Sequence, residues 1–222
     1  MKRINKLHLT NIMLGAIVVL LSACDGLFED VYDNNKSTSS TEVKSGEFTV
    51  DATSYTQWHY VSIGTDSVSF YTAEIASDGT ETGIPDKWDI ALHRYDVKTN
   101  GCTAAETNFT SISDLQAALS EDPQLLASLD FKADSLTQKK IIIDMSGMMQ
   151  GIIGYQESMY NARLSQWLNV DTSVMPPIYT MSHKVYVLSV PDGRYYALYL
   201  VNYMNEKSVK GHMTVQYVLL SD

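Results

Sequence analysis

Methionine is placed unevenly in this chain. Six of the ten methionines, Met145, Met148, Met149, Met159, Met175 and Met181, fall between positions 144 and 181. Two segments of that stretch, 146–151 (SGMMQG) and 171–177 (DTSVMPP), have the composition of loops: glycines flank the first, and Asp-Thr-Ser and Pro-Pro bracket the second. A core methionine fills gaps with a flexible chain. At a loop tip it exposes an apolar thioether to water unless something covers it. Thioether sulfur is also a soft metal ligand and one of the axial ligands used on haem iron. Placement alone leaves both readings open, ordinary packing and a ligand site.

The other candidate groups are less suggestive. His8 lies in the leader, and His59, His93, His183 and His212 read as strand residues with no partner at metal-ligand spacing, so a structural role is expected for each. His183 stands two residues from Met181. There is no nucleophile elbow, no glycine-rich phosphate loop and no H-E-x-x-H, so the chain is read as a binding protein rather than an enzyme.

The first residues carry an address. Lys2, Arg3 and Lys6 precede an apolar run, 12–21, which is too short to span a bilayer as a helix (about 20 residues are needed). Leu21-Ser22-Ala23-Cys24 closes the run and resembles a bacterial lipobox, which makes Cys24 the expected lipidated first residue of the mature protein. Residues 1–23 are then a signal peptide and 24–45, acidic and then Ser/Thr-rich, a flexible tether. Residues 46–222 suit one domain. A formal charge of −10 argues against nucleic acid as a partner. With Cys24 lipidated, Cys102 has no intramolecular partner and is expected to be a small buried residue.

The elements that must position the two loops are mostly strands. Residues 55–63 and 67–71 read as a hairpin turning at 64–66, and 77–85 as a loop. Residues 87–101 (KWDIALHRYDVKTNG) alternate Trp88, Ile90 and Leu92 against Asp89, Ala91 and His93, weakly onward through Tyr95 and Val97, which predicts one strand ending in an Asn-Gly turn. Residues 111–129 have helical spacing, with Ser113 or Asp114 as cap and Pro123 opening a second short helix. Strands follow over 139–145, from 152 toward 168, over 179–190, 194–204 and 211–220. The sum is a mainly antiparallel β domain with one or two short helices.

Residues 87–101 also carry a resemblance. Trp88-Asp89, Ala91-Leu92-His93-Arg94-Tyr95-Asp96-Val97 and Asn100 resemble the signature strand of the HmuY family, haem-binding lipoproteins of Bacteroidetes. The lipobox, Trp58, Trp167-Leu168, Tyr179, Ser182 and Val185 fit the same pattern. The resemblance implies a mostly β fold in which two loop residues, histidines in the best-known form, grip haem iron from opposite faces. This sequence departs there. Thr172 stands where one histidine would, with Met175 three residues on, and the other position offers Met148 and Met149, of which Met149 is the better match in register. What the resemblance implies is therefore haem held by Met149 and Met175, with Met148 as second choice. Ile152, Ile153, Tyr155, Val174 and Ile178 are the expected walls, and Lys184, Arg163 or Tyr179 the expected propionate partners. Two protein ligands leave no open iron position for oxygen chemistry. The implied role is capture of haem at the outer-membrane surface, from host haemoproteins as one source, and transfer to a TonB-dependent haem receptor. A glycan-binding surface lipoprotein is the alternative, kept alive by fourteen tyrosines.

Overall fold

The computed structural model describes residues 45–64 and 67–221. The expected signal peptide, Cys24, the expected tether up to residue 44, two residues of the first predicted turn, Thr65 and Asp66, and Asp222 lie outside the described residues.

Two antiparallel sheets form the frame. The larger has six strands in the order β1 (Ser45–Asp51), β15 (Lys210–Ser221), β14 (Tyr195–Met204), β13 (Val185–Ser189), β7 (Thr103–Glu106) and β8 (Lys132–Ala133). The smaller has five: β4 (Glu81–Thr82), β3 (Val68–Ile75), β2 (Gln57–Ile63), β5 (Ile90–His93) and β6 (Asp96–Thr99). Between them lies the main core, built from Phe48, Val61, Ile90, Leu92, Leu188, Leu198, Met213 and Val215 with Leu164 and Trp167. Each fully buried side chain of this size contributes roughly 1.5–3 kcal/mol of transfer free energy.

The outer face of each sheet is covered as well. Helices α1 (Ile112–Glu121) and α2 (Leu125–Ser128) pack Leu115, Ile112, Leu119, Leu125 and Leu126 against Val185, Val187 and Ala197 of the larger sheet. A separate hairpin, β9 (Ser135–Asp144) with β10 (Gly154–Tyr160), places Ile141 and Ile143 against Trp58, Tyr60, Ala73 and Ala91 of the smaller. Strands β5 and β13 are therefore buried on both faces, which is why IALH and VYVL carry little polar alternation. A second hairpin, β11 (Leu168–Asp171) with β12 (Ile178–Met181), follows a 3₁₀ turn at Leu164–Trp167.

A buried glutamine joins the first hairpin to the smaller sheet. Gln156 accepts from Trp58 Nε1 (2.8 Å) and donates to Gly79 O (2.9 Å) and Glu81 Oε1 (2.9 Å). Glu81 in turn pairs with Lys98 at 2.6 Å, whose ammonium lies 4.1 Å from the Trp58 ring centroid. No polar group of Gln156 is left unpaired, as burial at this depth requires.

Five sequence expectations need correction. The run from 152 toward 168 is not one strand: β10 ends at Tyr160, and the 3₁₀ turn at Leu164–Trp167 precedes β11. Residues 87–101 are not one strand: the chain reverses at Arg94 and Tyr95, so β5 and β6 form a hairpin paired from Ile90↔Thr99 to His93↔Asp96. Arg94 takes a left-handed φ of 54°, a conformation for which no glycine or asparagine gave a signal. Residues 179–190 are broken at Ser182–Lys184, with His183 at φ 53°, so β12 and β13 belong to different sheets and His183 is not a strand residue. The cap of α1 is Ser111, which accepts from Asp114 N at 3.1 Å, rather than Ser113 or Asp114. The 77–85 loop holds the short strand β4, paired with β3.

Candidate functional site

The two methionine loops are the connections of the two hairpins. The first, 145–153, joins β9 to β10, whose register closes at Asp144↔Gly154; the second, 172–177, joins β11 to β12 at Asp171↔Ile178. Both start the same way. Asp144 accepts from Ser146 N (2.8 Å) and Oγ (3.1 Å), and Asp171 accepts from Ser173 N (2.9 Å) and Oγ (2.6 Å). These bonds to the ionised form hold both carboxyls below the usual carboxylate range. The first loop then makes a 3₁₀ turn over Met148–Gln150 and leaves it through Gly151 at φ 73°, where a side chain would be strained. In the second loop Met175 precedes Pro176.

The turns leave their methionines uncovered. Met149 is 87% exposed, Met175 75% and Met148 39%. Ile152, Val174 and Ile178 are exposed beside them. Six apolar side chains and Tyr155 therefore stand in water at the ends of two hairpins, an arrangement that folding alone does not favour. Met145 is the methionine of this group that faces inward: it lines a cavity of about 350 Å³.

That cavity borders both loops. Met145, Tyr155, Ile142, Lys139 and Lys140 line it from the first hairpin, and Leu168, Val170, Thr172, Pro177 and Tyr179 from the second. The turn between β5 and β6 forms a third side, with His93, Arg94, Tyr95 and Asp96. The sequence signature read at 87–101 thus supplies cavity wall rather than a simple strand. Thr172, standing where a histidine was expected, is in the lining, whereas Met148, Met149 and Met175 are outside it on the loops above.

The expected walls and charge partners are only partly right. Of Ile152, Ile153, Tyr155, Val174 and Ile178, only Tyr155 lines the cavity. Lys184 is held by Glu106 and Arg163 by Asp130 at 3.1 Å, and neither reaches the cavity. Tyr179 does; it accepts from Tyr95 Oη at 3.1 Å, stacks on Tyr203 with centroids 5.5 Å apart, and has Lys210 Nζ 3.9 Å above its ring. The charged residues of the lining are Arg94, Lys139, Lys140 and Asp96, three cations and one carboxylate, a formal balance of +2. In a chain of net charge −10 this is a local inversion of sign. The signal for it was present in the sequence as Lys139-Lys140 ahead of three isoleucines, but nothing in the pattern tied it to Arg94 some forty residues earlier.

His93 is buried and unlike a titrating base. Its Nε2–H donates to Tyr55 O at 2.9 Å, its ring lies 5.2 Å from that of Trp58, and burial pushes its pKa down to about 4. His59 and His212 bond to Thr72 and Asn205 and lie away from the cavity, as does His183. Cys102 is buried in the main core, where burial pushes the thiol up to about 12 and makes it inert.

The donor set and the lining fit a flat apolar ligand with a metal at its centre and acid groups on its rim. Two uncovered thioethers on separate loops suit a soft iron site, and a cationic, tyrosine-rich wall suits carboxylates.

A search of curated proteins finds no match. Among solved structures the chain is similar to a candidate lipoprotein of Bacteroides fragilis, with 44% identity over 80% of this chain and 90% of that one and a TM-score of 0.70. It is similar to a candidate HmuY-like haem-binding protein of Bacteroides vulgatus, with 45% identity over 80% and 93% and a TM-score of 0.68. An apo HmuY analogue of Tannerella forsythia aligns at 25% identity over 82% and 98%, TM-score 0.64. The family model described as HmuY protein matches residues 54–217, a span that holds the smaller sheet, both hairpins, every residue of the cavity and the larger sheet apart from β1 and the end of β15, and the chain belongs to that family.

Proposed function

We propose that this protein binds haem between the 145–153 and 172–177 loops, with Met149 and Met175 as the two axial ligands. In this reading Cys24 is lipidated, residues 24–45 tether domain 46–222 to the outer-membrane surface, and the protein acts as a carrier rather than an enzyme. Haem taken from host haemoproteins passes to a TonB-dependent receptor. The relatives named as a haem-binding protein and as a lipoprotein support the ligand and the anchor. The observation that carries the reading is the pair of exposed thioethers on two loops that border one cationic cavity. A cavity of about 350 Å³ is at the small end for a ligand site, so it takes one edge of the macrocycle while the apolar loop residues cover the rest. Haem would supply the iron, Met149 and Met175 would hold it through neutral sulfur, and Ile152, Val174 and Ile178 would exclude water from the site.

Sulfur ligation has a signature that imidazole ligation lacks. A thioether carries no proton that titrates in the biological range, and as a soft neutral donor it favours ferrous over ferric iron. The expected result of a Soret titration is tighter binding of ferrous than of ferric haem, without the loss that imidazole protonation produces below about pH 6. Equal affinity in both redox states, or dissociation on mild acidification, would count against the assignment. The five cavity tyrosines, Tyr55, Tyr95, Tyr155, Tyr160 and Tyr179, favour a glycan as second reading. A chain that stays colourless with haem in either redox state but retains an oligosaccharide would decide for it.

A further inference from the structure

Among the cavity cations Lys140 is the one paired, loosely, with a cavity carboxylate. Its Nζ lies 3.4 Å from Asp96 Oδ1, beyond the 2.7–2.9 Å typical of a charge-assisted hydrogen bond. The ammonium side is 48% exposed and the carboxylate 15%. Arg94, by contrast, donates to Thr53 O and to Tyr95 Oη and is stacked 4.5 Å over the Tyr55 ring. Lys139 is exposed and has no carboxylate partner among the described residues. Lys140 also faces the Tyr160 ring at 5.5 Å and shares the lining with Ile142, two residues on along the same face of β9.

We propose that Lys140 is the carboxylate-binding subsite of the cavity, and that Asp96 competes with the ligand's acid group for it. This rests on the haem reading above and specifies which end of the porphyrin enters the cavity: the propionate edge. Asp96 then has a second role. While ionised, it keeps Lys140 partly neutralised; once protonated, it frees the ammonium and raises the formal balance of the lining by one charge.

The electrostatics of Asp96 suit that role. Burial pushes its carboxyl up to about 6, against the opposing pull of Lys140. Burial lowers Lys140, but the charge of Asp96, with Tyr160 beside it, raises it on balance. Both directions follow from one geometry, a buried carboxylate facing a solvated ammonium. The other titratable groups around Asp96 come from three elements: Tyr55, His93, Arg94 and Tyr95 beside the β5–β6 turn, Lys139, Tyr155 and Tyr160 on the first hairpin, and Tyr179 on the second. Phenol, guanidinium and ammonium groups do not ordinarily titrate between pH 5.5 and 7.5. His93, pushed down to about 4, is neutral throughout that window. Asp96 is thus the cavity group that changes charge within it.

The test compares the full-length chain with Asp96→Asn, Lys140→Gln and the double variant, titrated with ferrous haem and with its dimethyl ester at pH 7.5 and 5.5. The change in Kd between proteins is the readout, so the ligand's own titration cancels. The loss of a competing pair of this exposure corresponds to a factor on the order of five. Asp96→Asn is expected to bind haem about fivefold more tightly than the parent at pH 7.5 and equally at pH 5.5. Lys140→Gln is expected to bind more weakly at both, and the double variant to match Lys140→Gln. The diester should show none of these differences. The low-spin spectrum should be the same in every variant, because none touches the loops. A second readout needs no haem. A carboxyl titrating near 6 in the folded chain and near 3.8 when unfolded contributes stability below pH 3.8 that is lost as pH rises through 6. Asp96→Asn should therefore melt higher than the parent at pH 7.5 and not at pH 4. If haem binds with a low-spin spectrum but Asp96→Asn matches the parent at both pH values, or the double variant keeps the gain of Asp96→Asn, the subsite is wrong and the haem reading stands. If no variant and no parent binds haem, both fall.

Discussion

Replacing Met175 with alanine is expected to abolish the low-spin spectrum of the haem complex and to weaken binding by about 100-fold or more, ~2.7 kcal/mol at that factor. Met149→Ala should do the same. Neither substitution should disturb the fold: the two side chains are 75% and 87% exposed, and exposed substitutions without a special role change stability by about 0.5 kcal/mol or less. Met213→Ala is the opposite case. Met213 is fully buried on β15 between the two sheets, so its truncation should remove about 2–5 kcal/mol of stability while the folded fraction keeps the parental spectrum. The pair separates ligation from packing, the two uses of methionine that the sequence left open. Met148→Ala fixes the register of the first loop. Should it, rather than Met149→Ala, remove the low-spin bands, the ligand moves by one residue along the 3₁₀ turn. A double Met149→Ala, Met175→Ala chain that still gives a low-spin ferrous complex would end the two-thioether assignment.

The second large effect is expected at Asp134, which carries no ligand. Its carboxylate accepts from Thr99 N (2.6 Å), Thr99 Oγ1 (2.8 Å) and Asn161 Nδ2 (2.8 Å), and so ties the end of β6 to the residue after β10. Asn161, itself fully buried, extends the link: its N–H donates to Val97 O, and its Oδ1 accepts from Leu164 N at the start of the turn that brings Ser165 and Gln166 into the cavity wall. Asp134→Ala leaves Thr99 N and part of Asn161 without their acceptor in a buried setting. Each such orphan costs about 1–3 kcal/mol, so a loss of roughly 2–4 kcal/mol is expected in urea unfolding at neutral pH. Haem affinity should fall with it, since one cavity wall hangs from this link. A loss of about 0.5 kcal/mol or less would show that water replaces the carboxylate and that the wall is held by packing alone.

The features legible in the sequence were those with a local cause. The two loops were readable because glycine, proline and Asp-Thr-Ser mark turns wherever they stand, and the end of β9 because a β-branched run precedes the first loop; β11 gave no strand signal of its own, and the run from 152 toward 168 hid the 3₁₀ turn at Leu164–Trp167. The methionines were noticeable because turn composition and an apolar side chain contradict each other. The resemblance in residues 87–101 led to the right family without revealing its geometry, since alternation over IALHRYDV reads as one strand and the reversal at Arg94 leaves no compositional trace.

Other features depended on which surfaces meet. Periodicity shows that a strand has two faces; it does not show that β5 and β13 are covered on both, by a hairpin and by two helices. It places Lys140 and Ile142 together on β9, but the approach of Asp96 and Arg94 from the opposite hairpin is set by how Ile141 and Ile143 pack on Trp58 and Tyr60. That is why Lys184 and Arg163, plausible cations by sequence position, proved to be engaged elsewhere, while Lys139, Lys140 and Arg94 line the cavity. The sequence by itself determined which loops expose sulfur, because turn chemistry is local. Only the tertiary structure decided which charges stand beneath them, because side chains distant in the chain become neighbours only through the packing of the core between them.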